Sequence, residues 1–97
     1  MSRAYWVAIY SEINDPEKLA AYAKLAGPAI ASAGGRFIAR GEAVKAYENG
    51  LMQRTVIIEF DSVDAATAAH DSPAYQEALV ALGDGVEREI RIVEGVE

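Results

Sequence analysis

The alternation of apolar and polar residues along the chain predicts four β-strands. They are expected over residues 4–10, 36–40, 52–60 and 87–93. In the first strand both alternating sets of side chains are largely apolar, so both of its faces are expected to be covered. Asn49-Gly50 predicts a hairpin turn before the third strand, reached through an extended piece from Glu42 to Tyr47. Gly41 is the candidate β-bulge, because glycine tolerates the positive φ that a bulge can require.

A spacing of about 3.6 residues between apolar positions predicts a long helix from Pro16 to about Ala33. Asp15 is placed to cap its first turn, and Gly34-Gly35 can adopt the left-handed conformation that ends a helix. Pro28 lacks an N–H, so a kink or a local loosening is expected there. Two shorter helices are expected over residues 63–70 and 73–82.

The order of these elements is β-α-β-β-α-β, with the second helical segment split in two. This order predicts an α+β fold of the ferredoxin-like type, in which an antiparallel four-stranded sheet carries its helices on one face. Because Phe60 leads directly into a helix, its side of the sheet is taken as the covered one. The covered face is then expected to hold Val7, Ile9, Phe37, Ala39, Val56, Ile58, Phe60, Ile90 and Ile92. The bare face is expected to hold Trp6, Ala8, Tyr10, Arg36, Ile38, Arg40, Thr55, Ile57, Glu59, Glu89 and Arg91.

The bare face combines aromatic and aliphatic side chains with charged ones, so it is too apolar to lie in water over a whole sheet. A second copy of the chain is the natural cover, and we expect a homodimer whose two sheets face each other around a partly polar cavity. At 97 residues the chain is expected to be a single domain, residues 1–97. A domain of this size can take part of its buried surface from a partner subunit.

Composition and charge narrow the class of partner. The formal charge of -6 arises from 15 acidic and 9 basic residues, and the basic residues are scattered, so no binding to nucleic acid is expected. No apolar run approaches the roughly 20 residues of a membrane-spanning helix, so no membrane association is expected. The chain shows no secretory signal pattern and no cysteine. These features predict a cytoplasmic protein without disulfides, thiolate catalysis or cysteine-ligated metal.

Several stretches of the sequence together resemble one known family. They are Tyr5-Trp6-Val7-Ala8, Pro28-Ala29-Ile30, and residues 34–41, 56–60, 72–76 and 92–95. In these stretches the chain is similar to the family called domain of unknown function 1330, over nearly its whole length. The resemblance implies a dimeric α+β barrel, related in fold to antibiotic-biosynthesis-type monooxygenases, muconolactone isomerase and chlorite dismutase-like proteins. It implies no established reaction, because the activity of the family is itself unassigned.

Two arginines and a glutamate form the first candidate site. If Asn49-Gly50 is a two-residue loop, the register of the hairpin sets Arg40 opposite Glu59 on the bare face, and a bulge at Gly41 would shift this register by one. Glu59 is the candidate proton acceptor, and Arg36 or Arg40 would bind a carboxylate or enolate oxygen of a substrate. The alternative is a structural ion pair inside a dimer.

His70 and two aromatic residues complete the candidate site. His70 is the only histidine and lies near the end of a predicted helix, where its charge can complement the helix dipole. The functional alternative places it at the mouth of a cavity as a catalytic group. Trp6 and Tyr10, and with them Tyr22, Tyr47 and Tyr75, could line a planar aromatic ligand, or they could be core or dimer contacts. One histidine cannot build a histidine-rich metal site within one chain, and no cofactor or metal site is predicted.

Two functions remain open from the sequence. The first is a homodimer with a small-molecule-binding cavity on the sheet face, which could be a cofactor-independent enzyme acting on an organic acid or an aromatic compound. The second is a non-catalytic dimer in which the arginine–glutamate pair only sets the association. A cavity of about 300 Å³ or more between the two sheets, open to solvent and reached by Glu59 or an arginine, favours the first function, and a filled interface favours the second. The sequence leaves open whether the protein is an enzyme.

Overall fold

A computed structural model describes residues 2–96 of the chain. Its strands are β1 (Ala4–Ile13), β2 (Arg36–Glu42), β3 (Arg54–Phe60) and β4 (Val86–Glu94). Its helices are α1 (Pro16–Ser32), α2 (Val63–Asp71) and α3 (Pro73–Leu82). The strands form one antiparallel sheet in the order β2-β3-β1-β4, which confirms the predicted ferredoxin-like α+β fold. Among residues 2–96 no helix is long and apolar enough to cross a membrane.

Local capping explains where the helices begin and end. Asp15 accepts hydrogen bonds of 3.0 and 3.3 Å from two backbone N–H groups in the first turn of α1. The hydroxyls of Ser62 and Ser72 cap α2 and α3 in the same way. Gly34 has a φ of 91° and ends α1 in the predicted left-handed conformation. The helix runs through Pro28 as one continuous element.

The faces of β1 are the reverse of the prediction. Trp6, Ala8 and Tyr10 are buried beneath the helices, whereas Ile9 on the other face is 41% exposed. Trp6 lies opposite Ile58, and residues directly opposite each other in an antiparallel pair share a face. Because both alternating sets of β1 are apolar, its own pattern does not decide between the faces, and the assignments of Trp6, Val7, Ala8, Ile9 and Tyr10 are wrong. On the other strands the covered face holds, as predicted, Phe37, Val56, Ile58, Phe60, Ile90 and Ile92.

A bulge in β2 lies at Ile38, between Phe37 and Ala39, so the predicted bulge at Gly41 is wrong. Two residues of β2 oppose one residue of β3 at this point. The side chains after Ile38 therefore point to the faces opposite to those that strict alternation predicts. Ala39 falls on the open face and Arg40 on the covered face, which reverses the prediction for both residues.

Arg36 and Arg40 consequently lie on opposite faces of the sheet. Arg36 is opposite Glu59 on the open face, whereas Arg40 is opposite Val56 on the covered face. There the guanidinium carbon of Arg40 lies 4.6 Å from the ring centroid of Phe37. The predicted pairing of Arg40 with Glu59 is therefore wrong, and so is the prediction that the two arginines share a face.

The connection between β2 and β3 is longer than predicted. The extended piece expected from Glu42 to Tyr47 is not a strand beyond Glu42, and residues 43–53 form a loop. Within this loop the N–H of Gly50 donates to the carbonyl oxygen of Tyr47 at 2.9 Å and closes a turn. The central residues of this turn are Glu48, which has a φ of 55°, and Asn49. Asn49-Gly50 is therefore not the predicted two-residue hairpin loop.

Candidate functional site

On the open face of the sheet, Glu59 is held by two arginines and a phenol. Its Oε1 accepts from Arg36 Nε at 3.1 Å and from Arg3 Nη1 at 3.2 Å, and its Oε2 accepts from Tyr5 Oη at 3.3 Å. Arg36 also donates to Asp61 at 3.0 Å. These contacts, of which the Arg36 hydrogen bond is the largest, hold the pKa of Glu59 below its ordinary value. A carboxylate held in this way is a poor proton acceptor, and the arrangement favours the structural ion pair.

Glu59 is expected to stabilise the fold more at neutral than at acidic pH. Its pKa is lowered from 4.5 in the folded protein, so its contribution to the free energy of unfolding is present above that value and is lost as the pH falls through the lowered pKa. Urea denaturation should show a constant difference between wild type and Glu59→Gln from about pH 7 to pH 5, and a shrinking one at lower pH. Glu77→Gln, which removes an exposed carboxylate of α3, is the control and should differ little at any pH. A wild-type advantage over Glu59→Gln that persists unchanged down to about pH 3 would contradict the lowered pKa.

A pocket opens on the covered face, between α1 and the sheet. Its enclosed space is about 30 Å³, and its mouth opens to solvent. Of the candidate site residues, the pocket brings together Trp6, Tyr10 and Arg40, while Arg36 and Glu59 lie on the opposite face of the sheet. The pocket therefore lies on the helix side of the sheet, and the expected cavity was on the other side.

At one end of the pocket, Arg88 of β4 joins three tyrosines. Its Nη1 donates to Tyr10 Oη at 3.0 Å and to Tyr22 Oη at 3.2 Å, and its Nη2 donates to Tyr75 Oη at 3.3 Å. Tyr22 Oη and Tyr75 Oη are 2.8 Å apart and form one further hydrogen bond. Burial raises the pKa of Tyr75 above its ordinary value, so this phenol stays neutral. The cluster is a guanidinium charge surrounded by phenol oxygens.

Two more arginines line the same pocket. Arg54 begins β3, and its guanidinium carbon lies 5.7 Å from the ring centroid of Tyr10. Its buried Nε has no hydrogen-bond partner among the described residues. Arg40 lies over Phe37 and is exposed. In the part of the chain that the structure describes, no carboxylate lies within 4.0 Å of Arg40, Arg54 or Arg88, and no acidic side chain lines the pocket.

The pocket therefore offers more hydrogen-bond donors and positive charge than its own side chains can match with acceptors. A guanidinium group carries five N–H donors and no acceptor. The net charge of the whole chain is -6, so the concentration of arginines here is a local feature. Such a site can bind a carboxylate, phenolate or enolate oxygen, and it can stabilise negative charge that develops on one.

His70 lies in the last turn of α2, against the aromatic core. Its ring centroid is 5.7 Å from that of Trp6 and 5.3 Å from that of Tyr75, and its Nδ1 is 3.0 Å from Asp71 Oδ1. This position suits a histidine that complements the helix dipole. Within the described range, His70 does not line the pocket, and no group of three or more metal-ligating side chains comes together.

Sequence reasoning does not identify Arg54 or Arg88 as site residues. In the sequence the two arginines read as scattered surface charges, whereas Tyr22 is among the aromatic residues considered as possible ligand contacts. One signal could have found the arginines. Arg88 is two positions from Ile90 and Arg54 is two positions from Val56, so alternation along each strand places both arginines on the covered face.

Solved structures share this fold at low sequence identity. A protein of unknown function from Rhodopseudomonas palustris matches with a TM-score of 0.78 and 17% identity, over 99% of this chain and 84% of that chain. A dimeric ferredoxin-like protein of unknown function from Thermobifida fusca matches with a TM-score of 0.64 and 20% identity, over 96% of this chain and 91% of that chain. SnoaB from Streptomyces nogalater, a cofactor-independent oxygenase, matches with a TM-score of 0.68 and 15% identity, over 100% of this chain and 96% of that chain. At these identities the similarity shows the fold alone.

Sequence similarity identifies the family of the chain. No curated protein sequence matches it. The model of the family named Domain of unknown function (DUF1330) matches residues 3–96, which is nearly the whole chain. This match confirms the resemblance drawn from the sequence, and the chain belongs to the DUF1330 family.

Proposed function

We propose that the protein binds a small organic anion in the pocket between α1 and the sheet. The observation that carries this proposal is the buried Nε of Arg54, which has no hydrogen-bond partner among residues 2–96. A buried donor left unpaired costs free energy, and most buried polar groups are therefore paired. Since no acidic side chain of the described residues lines the pocket, a ligand is the natural source of the missing acceptor.

The walls of the pocket support a ligand with an apolar body beside its charged group. The enclosed space is only about 30 Å³ and its mouth opens to solvent, so the pocket would take up the acidic group of the ligand, and the apolar body would lie at the mouth. Trp6, Tyr10 and Phe37 supply aromatic wall surface, and the arginines supply the few polar groups that orient a ligand. An aromatic carboxylate combines both features.

Arg54→Met is expected to weaken the binding of benzoate by about tenfold to a hundredfold, because the variant loses a charge-assisted hydrogen bond. Isothermal titration calorimetry measures the affinity, and the fluorescence of Trp6, the only tryptophan, gives a second readout. Benzamide, which keeps the shape and removes the charge, is the ligand control. Lys24→Met, which removes an exposed positive charge of α1 that does not line the pocket, is the protein control. Equal affinity for benzoate and benzamide would overturn the proposal, and so would full affinity in Arg54→Met.

We also propose that a second copy of the chain covers the open face of the sheet. Ile9 and Val93 are exposed on this face, next to the strand that carries Glu59 and its ion pair with Arg36. Burial of the apolar side chains would drive the association, and the ion pair would help to set its register. The dimeric protein from Thermobifida fusca has the same fold, which supports this arrangement.

Ile57→Glu is expected to convert the dimer into a monomer, because it places an unpaired charge on the middle strands of the open face. Light scattering coupled to size-exclusion chromatography measures the mass. Val80→Glu, on the exposed surface of α3, is the control and should keep the mass of a dimer. A wild-type protein that is monomeric at micromolar concentration would contradict the proposed dimer.

The same pocket supports a catalytic role. Donors that hold a bound carboxylate also stabilise negative charge that develops on an enolate or phenolate during a reaction. SnoaB, which has this fold, is a cofactor-independent oxygenase. Oxygen uptake with a bound phenolic acid, measured with an oxygen electrode and lost in Arg54→Met, tests this role, and no uptake would limit the proposal to binding.

A further inference from the structure

The pocket between α1 and the sheet is narrow inside and open on one side. Its enclosed space is about 30 Å³, and because one water molecule needs roughly 10–15 Å³ of such space, there is room for about two oxygen-sized groups. This room suits the two oxygens of one carboxylate. The rest of an organic ligand must therefore lie outside the enclosed space, and the position of the mouth decides what kind of body the carboxylate can carry.

The exposure of the lining residues locates the mouth between α1 and β2. Deep in the pocket, Trp6 and Ile30 are 1% and 2% exposed. Among the lining residues that the structure describes, the exposed ones are Ala23 of α1 and Arg40 of β2, and Gly27 of α1 is partly exposed. A ligand whose acidic group is inside the pocket therefore leaves it through the gap between α1 and β2.

Gly27 leaves open space on the helix side of this gap. It lies one turn after Ala23, so the two residues are neighbours on one face of α1, and both line the pocket. A Cβ atom built on Gly27 meets no atom within 4 Å outside its chain neighbours and the backbone of its own helix. The following Pro28 favours a residue without a Cβ at position 27, because a Cβ there crowds the proline ring. The result is a stretch of bare helix backbone at the rim of the pocket.

The opposite wall of the gap is an aromatic ring beside a guanidinium group. Phe37 and Arg40 of β2 line the pocket, and the guanidinium carbon of Arg40 lies 4.6 Å from the centroid of the Phe37 ring. Both groups are planar, and both stack against flat apolar surfaces. A flat body can therefore lie between this wall and the backbone at Gly27.

We propose that Gly27 determines the specificity of the anion site, by leaving room between α1 and β2 for a flat body attached to one buried carboxylate. This inference rests on the proposed function and narrows its ligand class to monocarboxylates with a flat apolar body. A side chain at position 27 would fill the gap from the helix side and leave the arginines of the enclosed space in place. It would thus separate binding of the body from binding of the acidic group.

Gly27→Leu tests the inference with two ligands, benzoate and formate. Formate consists of the acidic group and one hydrogen, so it needs no room in the gap. Gly27→Leu is expected to weaken the binding of benzoate by about tenfold or more and to change that of formate by no more than about twofold. The NMR signal of the indole N–H of Trp6, the only tryptophan, measures both affinities in the full chain, weak ones included.

Two further variants of α1 complete the design. Ala23→Leu narrows the same gap at a position that no proline follows, and it should weaken benzoate binding as Gly27→Leu does. Ala21 is exposed and does not line the pocket, so Ala21→Leu is the matched control and should keep the affinity for benzoate. Thermal unfolding of each variant verifies that it is folded at the temperature of the titration.

The outcomes separate this inference from the proposed function. Unchanged benzoate affinity in both Gly27→Leu and Ala23→Leu overturns the inference and leaves the proposed anion site standing. Equal losses of benzoate and formate binding also overturn it, because the substitutions would then act on the enclosed space and not on the gap. If neither ligand binds to the wild-type protein, the inference and the proposed function both fail.

Discussion

Trp6→Ala is expected to lower the free energy of unfolding by about 3–5 kcal/mol, the usual cost of truncating a large buried aromatic side chain. Trp6 is 1% exposed. Its ring packs against Phe60, Tyr75 and His70 at centroid distances of 6.2, 5.0 and 5.7 Å. Removal of the indole leaves a cavity under the helices. Urea denaturation followed by far-UV circular dichroism measures the loss, because the variant has no other tryptophan to report by fluorescence.

Val44→Ala is the control for this experiment. Val44 is 89% exposed in the loop after β2, so its truncation should change the free energy of unfolding by no more than about 0.5 kcal/mol. The comparison tests which face of β1 lies under the helices. A cost below about 1 kcal/mol for Trp6→Ala would contradict its place in the core.

Arg88→Met is expected to cost about 2–4 kcal/mol, because three hydrogen bonds from one charged group are lost and their energies do not add. Tyr10, Tyr22 and Tyr75 keep their rings but lose the donor that joins them. Methionine replaces much of the aliphatic stem of the arginine, so the loss reports the hydrogen bonds more than the packing. Urea denaturation at neutral pH measures it.

Lys24→Met is the control. Lys24 is exposed on α1, away from the open face of the sheet, so its removal should change the free energy of unfolding by no more than about 0.5 kcal/mol. Arg88→Lys keeps the charge but lacks the planar fork that reaches three oxygens, and it should recover only part of the loss. Similar stabilities of Arg88→Met and Lys24→Met would contradict the role of the cluster.

The order and the ends of the elements could be predicted from the sequence because short-range chemistry fixes them. Asp15 and Pro16 begin α1, and Gly34 ends it, through contacts within a few residues. Together with the strand patterns, these local signals give the element order β-α-β-β-α-β. Right-handed crossovers then restrict the topology to the ferredoxin-like fold.

The faces of β1 and β2 could not be predicted in the same way, because they depend on pairing with β3. The two sides of β1 are both apolar, and only the register that sets Trp6 opposite Ile58 decides which side is buried. The bulge at Ile38 has no glycine to mark it. Because the bulge reverses the faces that follow, it moves Arg40 away from Arg36 and into the pocket.

Of the features described, the pocket is the hardest to predict from the sequence. Its donors come from β1, α1, β2, β3 and β4, and its cluster is completed by α3, so no short window of the sequence contains it. Alternation in β4 is enough to place Arg88 under the helices. Only the tertiary structure brings its guanidinium within 3.3 Å of three hydroxyl oxygens.

The position of β4 in the sheet also ties the cluster to one strand pairing. Arg88 belongs to β4, which, among residues 2–96, pairs only with β1 and forms one edge of the sheet. In any state in which β4 has come away from β1, Tyr10, Tyr22 and Tyr75 lose the cation that joins them. Opening of this sheet edge would therefore also open one end of the proposed anion site.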